Sequence, residues 1–142
     1  MWEPTNMTIT KLSQAIAIEA PPSKIWRVLT TPEYISQFLP EGTITGDWTE
    51  NSSIIHIAGG EEETREHTGS VLQVIPGILL RYSLPENGTP GPVVTTYELI
   101  PFSDGVELKM KCEGFSHEDE YLLRVQQVKM VLQKIKWLAE FG

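Results

Sequence analysis

The sequence predicts an α+β fold: a curved antiparallel sheet of six or seven strands wrapped around one long C-terminal helix, with two short helices after the first strand. Three observations predict it. Apolar residues recur with a period of two through most of the stretch from Thr43 to Glu113. A stripe at helical spacing (Tyr121, Val125, Val128, Leu132, Ile135, Ala139) runs through the last segment. Two short apolar segments, each opened by proline, separate a first alternating run from the rest.

Residues 1–11 are polar and aperiodic and are read as a loose N-terminus, with one domain over 12–142. Leu12, Ile16, Ile18 and Ala20 share one face of a first strand, which Pro21-Pro22-Ser23 halts. Ile25, Trp26, Val28 and Leu29 give the next segment the apolar side of a short helix. Thr31-Pro32-Glu33 opens a second, with Thr31 as N-cap and Pro32 at the first helical position. Its apolar residues are Tyr34, Ile35, Phe38 and Leu39, and Pro40 and Gly42 end it.

Strands are expected at 43–49, 53–58, 66–75, 78–84, 93–100 and 105–113. Gly59-Gly60, Pro76-Gly77, Asn87-Gly88 and Asp104-Gly105 supply turn chemistry between them. The last strand is the clearest: Val106, Leu108, Met110 and Cys112 point one way, Glu107, Lys109, Lys111 and Glu113 the other. Such alternation marks a sheet buried on one side only. Ser116-His117-Glu118-Asp119 then reads as a capping box, and the long helical stripe follows.

The chain has 142 residues, 40% hydrophobic and 21% charged, the balance of a soluble globular protein. A net charge of -8 repels phosphate backbones and anionic lipid, so nucleic acid is not expected as a partner. No apolar stretch approaches the ~20 residues that span a bilayer, so membrane insertion is not expected. Cys112, the lone cysteine, allows no intrachain disulfide. Without a basic region and apolar run at the start, the expected location is the cytoplasm.

The run Ile16-x-Ile18-x-Ala20-Pro21-Pro22-Ser23-Lys24-Ile25-Trp26, continuing to Leu29-Thr30 and Pro32-Glu33, resembles the opening of START-like (SRPBCC) domains. These have the helix-grip fold. The likeness is to the branch related to the C-terminal domain of the activator of the heat-shock chaperone ATPase. Gly69-x-Val71, Ile75-Pro76-Gly77-x-Leu79, Tyr82 and Thr96-Tyr97-Glu98-Leu99 resemble its middle strands. Gln127-Val128 depart from the Gly-Trp that bacterial members often carry there, which would enlarge or reshape a cavity mouth.

The resemblance implies a cavity between sheet, short helices and long helix. Strand parity and helix spacing place Phe38, Trp48, Ile55, Ile57, Tyr82, Tyr97, Met110, Val128 and Leu132 around it as ligand-binding residues. Thr95, Cys112 and the hydroxyls of Tyr82 and Tyr97 would be its polar tips. The same side chains also serve as ordinary core.

No catalytic centre is read. His56, Glu66 and His67 on adjacent strands, near Glu61, Glu62 and Glu63, lack a zinc-ligand spacing, and the acidic run suits a solvated hairpin tip. No nucleophile elbow occurs, and Cys112 lies on an apolar strand face. Glu98 has the wrong parity to assist Tyr97. Neither metal nor cofactor is expected.

The function read is a non-catalytic binding domain for a small hydrophobic or lipid-like molecule. One alternative is a chaperone-associated protein-interaction factor of the stress response. The chain has no room for the activator's separate N-terminal domain, which weighs against it. The other alternative is a cyclase- or hydrolase-like enzyme on a lipophilic substrate. Met130, Trp137 and Phe141 lie off the helical stripe, so monomer and homodimer both remain open.

Overall fold

The computed structural model describes residues 11–59, 63–85, 91–115 and 118–142, the last without the side chains of residues 118–120. The chain runs β1 (Lys11–Ile18), α1 (Pro22–Thr30), α2 (Pro32–Phe38), β2 (Thr43–Gly46), β3 (Ser53–Gly59) and β4 (Thr64–Ile75). It continues through β5 (Leu79–Leu84), β6 (Val93–Phe102), β7 (Gly105–Glu113) and α3 (Glu118–Phe141). The seven strands form one antiparallel sheet in the order β1-β7-β6-β5-β4-β3-β2. A meander from β2 to β7 is thus closed by β1 on its far side. Fold class and element order are those expected from the sequence.

Alternation builds the buried face. Leu80, Tyr82 and Leu84 of β5 point inward with Val93, Thr95, Tyr97 and Leu99 of β6 and Val106, Leu108, Met110 and Cys112 of β7. A bulge between Val71 and Gln73 makes Leu72 the extra residue of β4. It lets Val71, opposite Tyr82, and Val74, opposite Leu80, both turn inward although they are three residues apart. The bulge also bends the strand and strengthens its twist, which is how a sheet curves around a helix.

Helix α3, 24 residues and ~36 Å long, lies across that face. Val128, Val131, Leu132, Ile135, Leu138 and Ala139 are buried, a wider stripe than the one the spacing suggested. Its C-terminal half is clasped to β1 and α1. Lys136 Nζ donates to the Ala17 carbonyl at 2.8 Å, and Glu140 Oε2 accepts from the Glu19 N–H at 2.8 Å. Lys24 Nζ donates to the Gly142 carbonyl at 3.1 Å. The helix is therefore fixed at one end and spans the sheet with the other.

Two local expectations change. Thr31 is the N-cap of α2, but its side chain makes no capping bond; Pro32 in the first turn already removes one donor that needed satisfying. The second strand ends at Gly46, not at 49, because Trp48 and Asn51 adopt left-handed φ values of 56° and 66° in the β2–β3 connection. The expected loose N-terminus lies outside the described residues but for Lys11, which opens β1. Ser116 and His117 of the capping box with the side chains of Glu118 and Asp119, the Asn87-Gly88 turn, and Gly60 to Glu62 of the β3–β4 connection likewise lie outside them. Among the described residues no helix is long and apolar enough to cross a membrane.

Candidate functional site

Where the first half of α3 passes over β3 to β7, it does not meet the sheet. A cavity of about 320 Å³ remains, closed at one side by Leu39, Pro40 and Glu41 of the α2–β2 connection. Such a volume is at the low end of the ~300–1,000 Å³ of small-molecule sites. Its walls come from alternate residues of each strand, because only every second side chain reaches the concave face.

The inner wall is apolar. Ile44, Leu84, Val93, Met110, Val128 and Val131 line it, each at most 8% exposed. Tyr82, Thr95 and Cys112 add three buried polar tips. The outer wall differs in kind. Arg65, His67 and His56 from β4 and β3, Arg124 and Gln127 from α3, and Glu41 form it.

These outer groups are organised. The His56 and His67 rings stack with centroids 5.9 Å apart and planes 25° from parallel, as expected from residues directly opposed in the β3–β4 register. His56 Nε2 donates to the Glu41 carbonyl at 2.9 Å; since a carbonyl only accepts, this nitrogen carries the proton. His67 Nδ1 is buried without a hydrogen-bond partner among the described residues. Leaving such an atom unsatisfied costs about 1–3 kcal/mol. Arg65 Nη2 lies 3.5 Å from Glu41 Oε1, with side chains 51% and 57% exposed, so this pair marks the mouth. Arg124 lies with its guanidinium carbon 5.5 Å from the Phe115 ring centre.

Of the residues placed around the cavity from sequence, Tyr82, Met110 and Val128 line it. Phe38, Trp48, Tyr97 and Leu132 are buried in the core beside it. Trp48 meets the Tyr82 ring edge-on at 5.7 Å. Ile55 and Ile57 lie on the opposite strand face, paired with Thr68 and Glu66, because β3 turns Ile54, His56 and Ala58 inward. The residues missed are the α2–β2 connection and the charged ones. Arg65 and His67 share parity with Gly69 and Val71, and that was the one available signal.

Chemically the site holds few reactive arrangements. Glu41 gives its carboxylate to Arg65, and His56 takes only its backbone carbonyl. Burial, followed by the nearby Tyr82 and Cys112, pushes the Tyr97 phenol well above its ordinary range, so it stays protonated and neutral. Among the described residues no group of three metal-ligating side chains forms.

The family model described as Activator of Hsp90 ATPase homolog 1-like protein matches residues 19–140. Solved structures share the fold. A protein of Cytophaga hutchinsonii is 25% identical with a TM-score of 0.77, over 92% of this chain and 93% of its own. A Mesorhizobium loti protein is 22% identical at 0.76, over 90% and 95%. The dimeric Aha1 of Colwellia psychrerythraea is 17% identical at 0.75, over 94% and 98%. No curated protein matches the chain in sequence.

Proposed function

Because the chain belongs to the family of Activator of Hsp90 ATPase homolog 1-like proteins, we propose that it is a non-catalytic binding domain whose cavity takes a small hydrophobic or lipid-like molecule. The observation that carries the reading is the 320 Å³ space itself, kept open between buried apolar side chains of sheet and helix. A purely structural domain gains by collapsing such a space, since unfilled volume in a core forfeits dispersion contacts. The apolar wall supplies affinity, and Tyr82, Thr95 and Cys112 supply orientation. Among the described residues the lining carboxylate of Glu41 faces Arg65, which gives no support to the reactive pairing that an enzyme of this shape needs.

The test is native mass spectrometry of protein purified gently from its own source, with organic extraction of bound material. A discrete lipophile that also protects the domain against thermal unfolding supports the reading. A clean apo mass, together with no displacement of a lipophilic fluorescent probe by any lipid extract, overturns it.

The family gives specific support to a second reading, a protein-interaction factor acting on a chaperone ATPase. The exposed Met130, Trp137 and Phe141 of α3 offer apolar surface for such contact. Measuring the ATPase rate of the Hsp90-type chaperone from the same source, with and without this chain, decides it: acceleration supports the reading and an unchanged rate removes it.

A further inference from the structure

Helix α3 carries apolar residues on two opposite faces, and the rest of the domain buries only one of them. On the other, Leu123, Met130, Trp137 and Phe141 are 61%, 55%, 58% and 73% exposed. The first three follow one another at intervals of seven residues, and Phe141 lies one turn beyond. At ~3.6 residues per turn all four fall along one line of the helix. A strict seven-residue repeat is the spacing of a helix packed lengthwise on another helix, because two turns return each apolar side chain to the same seam. We infer that this seam is closed by a second copy of the chain, the two α3 helices lying antiparallel about a two-fold axis at Met130. Such a dimer is independent of the cavity, and it uses the surface that contact with a chaperone would also need.

Three features single out a second copy. The seam is self-complementary, as a two-fold interface must be. About Met130, the antiparallel arrangement sets Leu123 against Trp137, Gln126 against Lys134 and Gln127 against Gln133. Apolar thus meets apolar and polar meets polar, while the two Lys134 residues stay about 12 Å apart along the axis. A parallel pairing would instead set Lys134 against Lys134. Charge favours the same face. Two chains of net charge -8 repel one another, but the stretch from Tyr121 to Ala139 contains no Asp or Glu. Two copies can therefore meet there without setting acid against acid. The area is also sufficient. Trp137 and Phe141, with ring centroids 6.3 Å apart, expose on the order of 300 Å² between them. With Leu123 and Met130 the seam reaches about 500 Å² per copy, hence about 1,000 Å² for the pair, the lower bound of a specific interface. Beside it, Gln37 of α2 and Met130, Trp137 and Leu138 of α3 border a groove of about 370 Å³, in which the other copy's Leu123 can seat.

The experiment is sedimentation equilibrium of the full chain from about 5 to 500 μM. The expected result is a reversible monomer–dimer equilibrium with a Kd on the order of 10–100 μM, as suits an interface of this size. Trp137→Glu, at an exposed position where the fold is kept, should raise that Kd about tenfold or more. The register is read by oxidative cross-linking, with the parent, whose Cys112 is buried, as the control. Met130→Cys should give a disulfide-linked dimer and Lys134→Cys should not, because a disulfide needs Cα atoms within about 7 Å. A parent that stays monomeric throughout overturns the inference, and one that instead binds an Hsp90-type chaperone through Trp137 gives the face to that partner. A dimer indifferent to Trp137→Glu overturns its assignment to this seam. Cross-linking of Lys134→Cys as readily as of Met130→Cys overturns the antiparallel axis.

Discussion

Trp48 meets Tyr82 edge-on, ring centroids 5.7 Å apart and planes at 74°, and it does so from a left-handed backbone φ of 56°. A bulky residue rarely adopts that conformation, which crowds Cβ against the following carbonyl. Here the packing of an 8%-exposed indole on a cavity residue outweighs the local strain. Trp48→Ala should therefore lose about 3 kcal/mol, chiefly from the lost ring contact. Trp48→Gly should be more stable than Trp48→Ala by ~1 kcal/mol, the reverse of their order at an ordinary strand position. Urea denaturation of the two variants checks this. An alanine variant as stable as the glycine one would mean that φ is not left-handed in solution.

That pair also shows what was legible in the sequence. Strand parity places Tyr82 and Trp48 near the cavity, but nothing in Gly46-Asp47-Trp48-Thr49 announces that the strand stops at Gly46, three residues short of 49, and that the backbone reverses hand. Wherever a strand packs directly on the core, as in β7, alternation is sharp and the reading holds residue by residue. It fails on β3. In Ile54-Ile55-His56-Ile57-Ala58 the isoleucines at 55 and 57 look like the inward pair with His56 turned out. The structure does the opposite, since the inward face there lines a cavity with a polar wall and accepts a histidine. Apolar periodicity reports core packing, and it misleads where the concave face borders ligand space.

Tyr97 gives a prediction at the alkaline end. Its phenol is buried and its pKa raised well above 10.0, first by desolvation and then by Tyr82 and Cys112. Above pH ~10 the unfolded chain loses this proton while the folded one keeps it, so folding binds more protons and stability falls as pH rises. Below that pH the group contributes no slope. Urea titrations between pH 8 and pH 11 should show a steeper alkaline loss in the parent than in Tyr97→Phe. Equal slopes would place the hydroxyl in contact with water.

Glu140 acts at the acid end. The hydrogen bond from Lys136 Nζ at 2.6 Å, then that from the Glu19 N–H, holds its carboxyl below the ordinary 4.5. A depressed pKa contributes stability above the unfolded value and loses it as pH falls below 4.5. Because the carboxylate ties α3 to the chain just after β1, Glu140→Gln should lower Tm modestly at pH 7. The two melting curves should converge on acidification to pH ~3. A gap of constant size across that range would assign the effect to packing instead.

The cavity itself is tested most directly from the helix. Val128 is 2% exposed and lines the space, while Leu132, one turn later and equally buried, packs in the core outside it. A tryptophan at 128 has a void to enter, and one at 132 does not. Val128→Trp should therefore cost no more than ~1 kcal/mol in urea denaturation while reducing uptake of a lipophilic fluorescent probe about tenfold. Leu132→Trp should cost more, roughly 1–3 kcal/mol, because overpacking forces side chains off their rotamers. Probe binding by Val128→Trp at the parent's affinity would show that the bound molecule sits elsewhere on the domain, whatever the shape of this cavity.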